Sequence, residues 1–469
     1  MMGNRDARTF VRYAVCLCLA LSVSVLPGIG ACAPQPPAGG DGSTDGGGND
    51  GGSNGSNPPG GNGGNGGDGG GGQPPPPVAR VTADAGPDQT VEDRAVVTLS
   101  GRGTDSTGAA VSHAWSQVGG PPVTLLGADG PTATFTAPDV TASLMFRLRV
   151  QSANGEATDD VVVAVDAAPM LFVANRGGNT IARFRAGRNL NGDVAPLALL
   201  AGANTRLNNP SSIQLDRIGG LLVTNVDANR IAGFLNALTI DGDVTPERYV
   251  GGPATLLNYP EGAAYSPTAD LLFVANFDSF PGTVNVYGSV ATPGFTGSVA
   301  PIRQIRSYGI VNARDLELTA GDELYVANAG ANNVSVFANA GTADGLVTAS
   351  RIITSPEFQD RALLDVWLDS NGRMFVLDGT YNRVLSFANA ATLNGDVVPD
   401  AIITVPNAGQ LAGVAVDAKG TGYVADFASK AIYIFESITG RSGVVQPDRT
   451  IMGPKTQLSG PWHMHLLLR

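Results

Sequence analysis

Cysteine is nearly missing from this chain: its 469 residues hold three, at positions 16, 18 and 32, together with only three histidines. So small a stock excludes a disulfide framework and any metal site built on paired cysteines. HExxH does not occur, and GxSxG matches only within the low-complexity run at 51–55, with no strand before it to make a nucleophile elbow, so neither hydrolase signature stands in its working context. Cationic residues are also scarce. Lys and Arg total 29 against 41 Asp and Glu, the formal charge is -12, the pI is near 4.7, and no basic stripe runs along the chain. Neutralising phosphates takes a clustered cationic excess, so nucleic acid is not an expected partner. The long apolar run at 13–26 is too short for a membrane-spanning helix, which needs about 20 residues.

Glycine and proline are plentiful instead, 63 and 31, and point to many turns and to low-complexity sequence. At this length several domains are expected. Arg5, Arg8 and Arg12 precede the 13–26 run, the layout of an export signal. Ile29-Gly30-Ala31-Cys32 resembles a bacterial lipobox. That resemblance implies a lipoprotein signal peptide over 1–31, cleavage before Cys32 and lipidation of Cys32; a plain cleavage site beside a cysteine is the alternative. With Cys16 and Cys18 removed, Cys32 is the one thiol left. Several acyl chains on it would hold the protein on a membrane, since each buried methylene contributes about 0.8 kcal/mol. Ala33 after the cysteine goes with the outer membrane or cell surface in such proteins. Residues 32–79 then form a tether. From 38 to 77 the chain is Gly, Asn, Asp and Ser closing on four prolines, which cannot bury enough surface to order itself. A phosphate-binding loop does not fit there, because no strand precedes it and no Lys-Ser/Thr follows.

Over 80–167 the pattern changes to short alternating runs at 96–100, 111–118, 123–126, 132–137, 144–150 and 159–165, broken by turn signals. This is the pattern of an Ig-like β-sandwich. AGPDQTV at 85, SHAWSQVGGP at 112 and ATFTAPDV at 133 resemble PKD-like surface modules of bacteria, and the resemblance implies a spacer or adhesive unit. Trp115 is expected in the core, with His113 on the same face. Asp84 and Asp88 offer oxygens for Ca²⁺, although Gly-Pro-Asp reads first as a turn.

Residues 168–469 repeat. LFVAN at 171 returns as LLVTN, LFVAN, LYVAN, MFVLD and GYVAD, and its last residue (Asn175, Asn225, Asn276, Asn328, Asp378, Asp426) recurs in steps of 50, 51, 52, 50 and 48. Each copy precedes a strand ending in an aromatic, a turn of the NGDVAP type, and further strands. Four strands in about 50 residues make a propeller blade. The fold class is therefore all-β: an Ig-like β-sandwich, then a six-bladed β-propeller closed by the C-terminal strand 463–468, which supplies the innermost strand of the blade that starts at Met170. A monomer is expected. LAGVAVDAKGTGYVADFASKAIYIF at 411 resembles NHL-type propellers, a group that includes binding scaffolds, hydrolases and lyases. The basic surface of its RNA-binding members is missing here, so that activity is not implied.

A residue type present in every blade cannot make one unique site. The Asn/Asp ring that ends the LFVAN strands is expected to bond the turn two residues on, and the Asn-Gly-Asp turns are read the same way. Along the innermost strands one face is uniformly apolar: Ile213, Ala263, Leu316, Val366, Val414 and Met464. The alternate positions break the symmetry with Ser212, Gly262, Asp315, Asp365, Gly413 and His463, then Gln214, Ala264, Glu317, Trp367, Ala415 and His465. Asp315, Asp365 and His463 are the candidates for catalysis or a metal; Glu317, His465 and Gln214, with Tyr259 and Trp462 from the incoming loops, are the candidates for ligand contact. No cofactor is required, and a divalent cation such as Ca²⁺ fits the donors. Hydrated channel walls without chemistry are the plain alternative. Three functions remain open: a membrane-anchored scaffold for a protein or carbohydrate ligand, a metal-assisted hydrolase or lyase at the channel mouth, and a purely structural envelope protein. Close convergence of Asp315, Asp365 and His463 favours the enzyme, and an aromatic, loop-built rim favours binding.

Overall fold

The computed structural model describes residues 80–358 and 363–468. The expected signal peptide, Cys32 and the tether fall outside them. Regular structure there is almost wholly β, with short 3-10 turns between strands. No helix among the described residues is long and apolar enough to cross a membrane.

In the first module, Val81–Asp84 pairs with Arg102–Asp105 and Val96–Ser100 with Thr132–Thr136. Gln89–Glu92, Gly155–Asp166, Ala142–Ser152 and Ser112–Gly119 form a four-stranded sheet in that order. Burial alternates along Ala142–Ser152, as a sandwich strand requires. Its inward residues Leu144, Phe146 and Leu148 close with Leu99, Phe135 and Val163 around the buried Trp115. Residues 123–126 do not form the expected strand. Pro121 and Pro122 bring no N–H to a ladder, and the Val123 N–H donates to Gln117 Oε1 (2.9 Å) instead. Asp84 accepts the Gly86 N–H (2.9 Å) and Asp88 the Val162 N–H (2.8 Å), so both oxygens serve the backbone.

The remainder builds sheets of four or five strands in a propeller-like arrangement, antiparallel through their first four. The LFVAN-type segments are second strands and fully buried, from Met170–Asn175 to Gly422–Asp426. One strand further in lie Pro210–Leu215, Pro260–Ser266, Ala313–Leu318, Leu363–Leu368, Leu411–Val416 and Pro461–Leu467, each beside the next, with the last beside the first. Pro461–Leu467 pairs antiparallel with Met170–Asn175, matching Leu466 to Leu171 and Met464 to Val173. The chain's last strand thus completes the sheet with which this region opens.

Neighbouring sheets are joined by devices that local sequence signals present as turn chemistry or do not show. The glycine of each Asn-Gly-Asp-type turn pairs in parallel with the outermost strand of the preceding sheet: Leu200 with Gly242, Val250 with Gly297, Ile305 with Gly345, Ile353 with Gly395, Ile403 with Gly443 and Ile451 with Gly192. Arginines on outer strands reach carbonyls of the next sheet, as Arg248 does to Val290 (2.8 Å) and Arg351 to Ala390 (2.9 Å). The Asn/Asp ring is structural, as expected, but its main partner differs. Asn225 accepts the Asn208 N–H (2.9 Å), Asn276 the Asn258 N–H (2.9 Å), Asn328 the Val311 N–H (3.2 Å) and Asn175 the Ser459 N–H (3.1 Å). Each fixes the loop that leads into an innermost strand. Only Asp378 bonds two residues on, to the Thr380 N–H (3.1 Å).

Candidate functional site

The sandwich packs against the end of the propeller-like region at which the innermost strands finish. Asp93 accepts the Ala168 N–H (2.9 Å) and pairs with Arg185, Lys419 pairs with Asp166, and Arg188 lies 3.4 Å from Glu92. Arg185 stands opposite Met170, and Met170 opposite Leu467, which fixes that end by register. The other end, where the innermost strands begin, carries the exposed aromatics: Tyr259 (46%), Phe280 (81%), Tyr308 (63%) and Tyr381 (43%). Phe280 and Tyr308 pack with ring centroids 5.7 Å apart and planes tilted by 59°. Of the two aromatics expected from the loops LNYP and SGPW, Tyr259 is exposed here and Trp462 is half-buried, while Phe280, Tyr308 and Tyr381 come from other loops.

Every innermost strand carries a register shift at its start, between Pro210 and Ile213, Pro260 and Ala263, Ala313 and Asp315, Leu363 and Asp365, Leu411 and Gly413, and Pro461 and Met464. Two residues there oppose one, so consecutive side chains are re-aimed and strict alternation fails. The consequence is a charged cluster at the mouth that alternation alone misses. Glu261 is 2% exposed and takes both guanidinium nitrogens of Arg176 (3.1 Å each), Arg314 Nη1 (2.9 Å) and the Ser211 hydroxyl (2.6 Å). Arg176 lies over the half-buried Trp462 ring at 4.4 Å, and Arg314 over Phe277 at 4.1 Å. The only sequence signal for it is the break in repeat symmetry at Ser211, Glu261, Arg314 and Trp462.

One position further along, Asp315, Asp365 and His463 converge. One donor atom from each lies within 4.8 Å of the others, and all three residues are buried. His463 Nε2 stands 3.7 Å from Asp315 Oδ1. Each side chain is tied on its other side by a backbone N–H of the next innermost strand: Val366 to Asp315 Oδ2 (3.4 Å), Val414 to Asp365 Oδ2 (2.7 Å) and Ile213 to His463 Nδ1 (3.3 Å). Asp315 Oδ1 and Asp365 Oδ1 are buried with no hydrogen-bond partner among the described residues. Glycines set the spacing of this layer. A Cβ on Gly262 would stand 2.5 Å from the Asp315 Cα, and one on Gly413 2.2 Å from the Trp462 carbonyl oxygen.

Burial, and the Asp365 carboxylate beside it, hold the Asp315 carboxyl well above its usual range; burial likewise raises Asp365. Glu317 is pushed up to about 8 by burial and by Asp365. Burial, with the charge of His465, takes His463 down to about 3, and burial takes His465 down to about 4. Both imidazoles are therefore neutral at neutral pH. Of the other candidates, Gln214 is committed to the Ala263 carbonyl (2.7 Å), Glu317 and His465 sit half-buried two residues deeper, and Tyr259 and Trp462 lie at the free end. The candidates divide into an axial layer and a surface rim.

A PKD domain family model matches residues 85–165. This module is PKD-like. No curated protein matches the chain. Among solved structures, a protein of unknown function from Bacteroides caccae aligns at 12% identity over 64% of this chain and 99% of its own, with a TM-score of 0.43. A nidogen/laminin complex aligns at 14% over 64% and 98% (TM-score 0.44), and virginiamycin B lyase from Staphylococcus aureus at 10% over 68% and 96% (TM-score 0.36). Likeness of this size carries no functional argument.

Proposed function

We propose that this chain is an extracytoplasmic lipoprotein whose propeller binds a protein or carbohydrate ligand. In this reading 1–31 is removed, Cys32 is lipidated, 32–79 is a tether, the PKD-like module is a spacer, and 168–469 is a six-bladed NHL-like propeller that its last strand closes. The cyclic order of the innermost strands and the parallel links between successive sheets support the blade count. The observation that carries the binding function is the exposed aromatic rim on the end away from the PKD-like module. A spacer attached at one end leaves the other free to meet a partner, and aromatics beside guanidinium groups make an anchor-rich surface.

The test is retention of the chain released from its lipid by Cys32→Ser on immobilised envelope protein and polysaccharide, comparing it with chains that also carry Tyr259→Ala, Phe280→Ala or Trp462→Ala. Ile218→Ala, in the turn at the opposite end, serves as control. Loss of retention in the rim variants alone supports the reading; equal retention of all four variants overturns it. A metal-assisted hydrolase or lyase is the second reading, and convergence of the axial triad is the observation in its favour. Against it, Asp315, Asp365 and His463 are all buried, so none of them is presented at the surface to a substrate. Ester or lactone turnover lost on chelation would reverse that order. The purely structural alternative has no site to support it.

A further inference from the structure

We propose that Asp315, Asp365 and His463 bind one divalent cation of the transition series, with Zn²⁺ and Mn²⁺ as the probes, and that the ion staples three innermost strands together. This goes beyond the binding role of the rim and is independent of it. Three observations converge. The donor atoms lie within 4.8 Å of one another, and His463 Nε2 stands 3.7 Å from Asp315 Oδ1, inside the roughly 4.4 Å that can separate two ligands each about 2.2 Å from a shared ion. Asp315 Oδ1 and Asp365 Oδ1 are buried and unpartnered among the described residues, which is costly for carboxylates unless a cation meets them. The second oxygen of each is already held by a backbone N–H of the neighbouring strand, the outer support that fixes a ligating carboxylate in place.

Arg176 and Arg314 both engage Glu261, whose strand position is one residue before that of Asp315 and Asp365. Ligand chemistry selects the ion. Three protein donors fall short of the six to eight oxygens that Ca²⁺ takes, whereas two carboxylates and an imidazole suit Zn²⁺ or Mn²⁺, with water completing the shell. Calcium, the example raised from sequence, is therefore the poorer fit.

Loading has a cost that also makes it visible. With Nδ1 accepting the Ile213 N–H at 3.3 Å, the ring hydrogen sits on Nε2. Ligation through Nε2 moves that hydrogen to Nδ1 and gives up the Ile213 contact. The ¹⁵N shifts of the His463 ring should thus change tautomer on loading.

The experiment is elemental analysis of the full chain purified without chelator, followed by calorimetric titration of chelator-treated protein with Zn²⁺, Mn²⁺ and Ca²⁺ separately. One equivalent of Zn²⁺ or Mn²⁺ per chain, binding more tightly than Ca²⁺, with affinity lowered at least about tenfold in Asp365→Asn and a tautomer change on His463, is expected. Failure of the chelator-treated parent to bind either probe overturns the proposal, as does tighter binding of Ca²⁺. Infrared carboxylic-acid bands assigned to Asp315 or Asp365 in the protein as purified would then identify a shared proton in the ion's place. If Asp365→Asn does not fold, the titrations of the parent decide.

Discussion

Gly413→Ala tests whether the closing seam is as tight as the geometry states. A Cβ there would stand 2.2 Å from the Trp462 carbonyl oxygen, 3.3 Å from Asp365 Oδ2 and 3.3 Å from the His463 Cα. Carbon contacts settle at about 3.5–4.0 Å, so the shortfall against a backbone oxygen exceeds about 1 Å. A flexible side chain could turn aside, but this oxygen belongs to Pro461–Leu467 and moves only if that strand moves. Overpacking of this kind costs about 1–3 kcal/mol, partly offset by up to about 1 kcal/mol because alanine narrows the unfolded ensemble. We expect a net loss of roughly 1–2 kcal/mol, read as a lower urea midpoint, with faster hydrogen exchange concentrated at Met464 and Leu466. Gly294→Ala is the control, since its site is exposed and its nearest neighbour would be 3.9 Å away. A Gly413→Ala protein within about 0.5 kcal/mol of the parent, with unchanged exchange in the last strand, would refute the reasoning.

Three further outcomes follow from the same geometry. Arg248 and Asp216 form an ion pair at 2.6 Å with side chains only 2% and 0% exposed, so Arg248→Ala should cost about 3–5 kcal/mol in denaturant melts by stranding a buried carboxylate; a loss under about 1 kcal/mol would contradict this. Asp426 is buried, which works to raise its pKa, yet N–H groups of Ser429, Gln410 and Gly409 outweigh burial and leave it below the usual 3.8. Its contribution is complete above the unfolded value and is lost as pH falls through the folded one, so Asp426→Asn should flatten the acid limb of the stability curve; an unchanged limb would count against it. Cys32→Ser should shift the protein from the membrane to the soluble fraction, and persistence on the membrane would remove the lipid anchor from the proposed function.

Much of the architecture is legible because it is written locally. Strands and their turns depend on neighbouring residues, so the alternation around Trp115, the LFVAN period and the pairing of the last strand with Met170–Asn175 can be read directly. The reading fails where the local signal is weak. Residues 123–126 alternate like a strand, but the Val123 N–H goes to the Gln117 side chain and only Leu126 pairs, in a single bridge with Thr134. The Asn/Asp ring looks like turn chemistry, because nothing within a repeat says that Asn225 will hold the Asn208 N–H of the incoming loop.

The site divides along the same line. The sequence by itself determined that Asp315, Asp365 and His463 occupy equivalent positions on three innermost strands, since counting from the following turn fixes the register. It determined the aromatic loops and the net negative charge as well. Only the tertiary structure decided that these three donors meet within 4.8 Å, because their distance depends on how neighbouring sheets pack and on how closely Gly262 and Gly413 let neighbouring strands approach. It alone placed Glu261 between Arg176 and Arg314. The shifted register at the start of each innermost strand re-aims consecutive residues, and a strand read by strict alternation carries no mark of it.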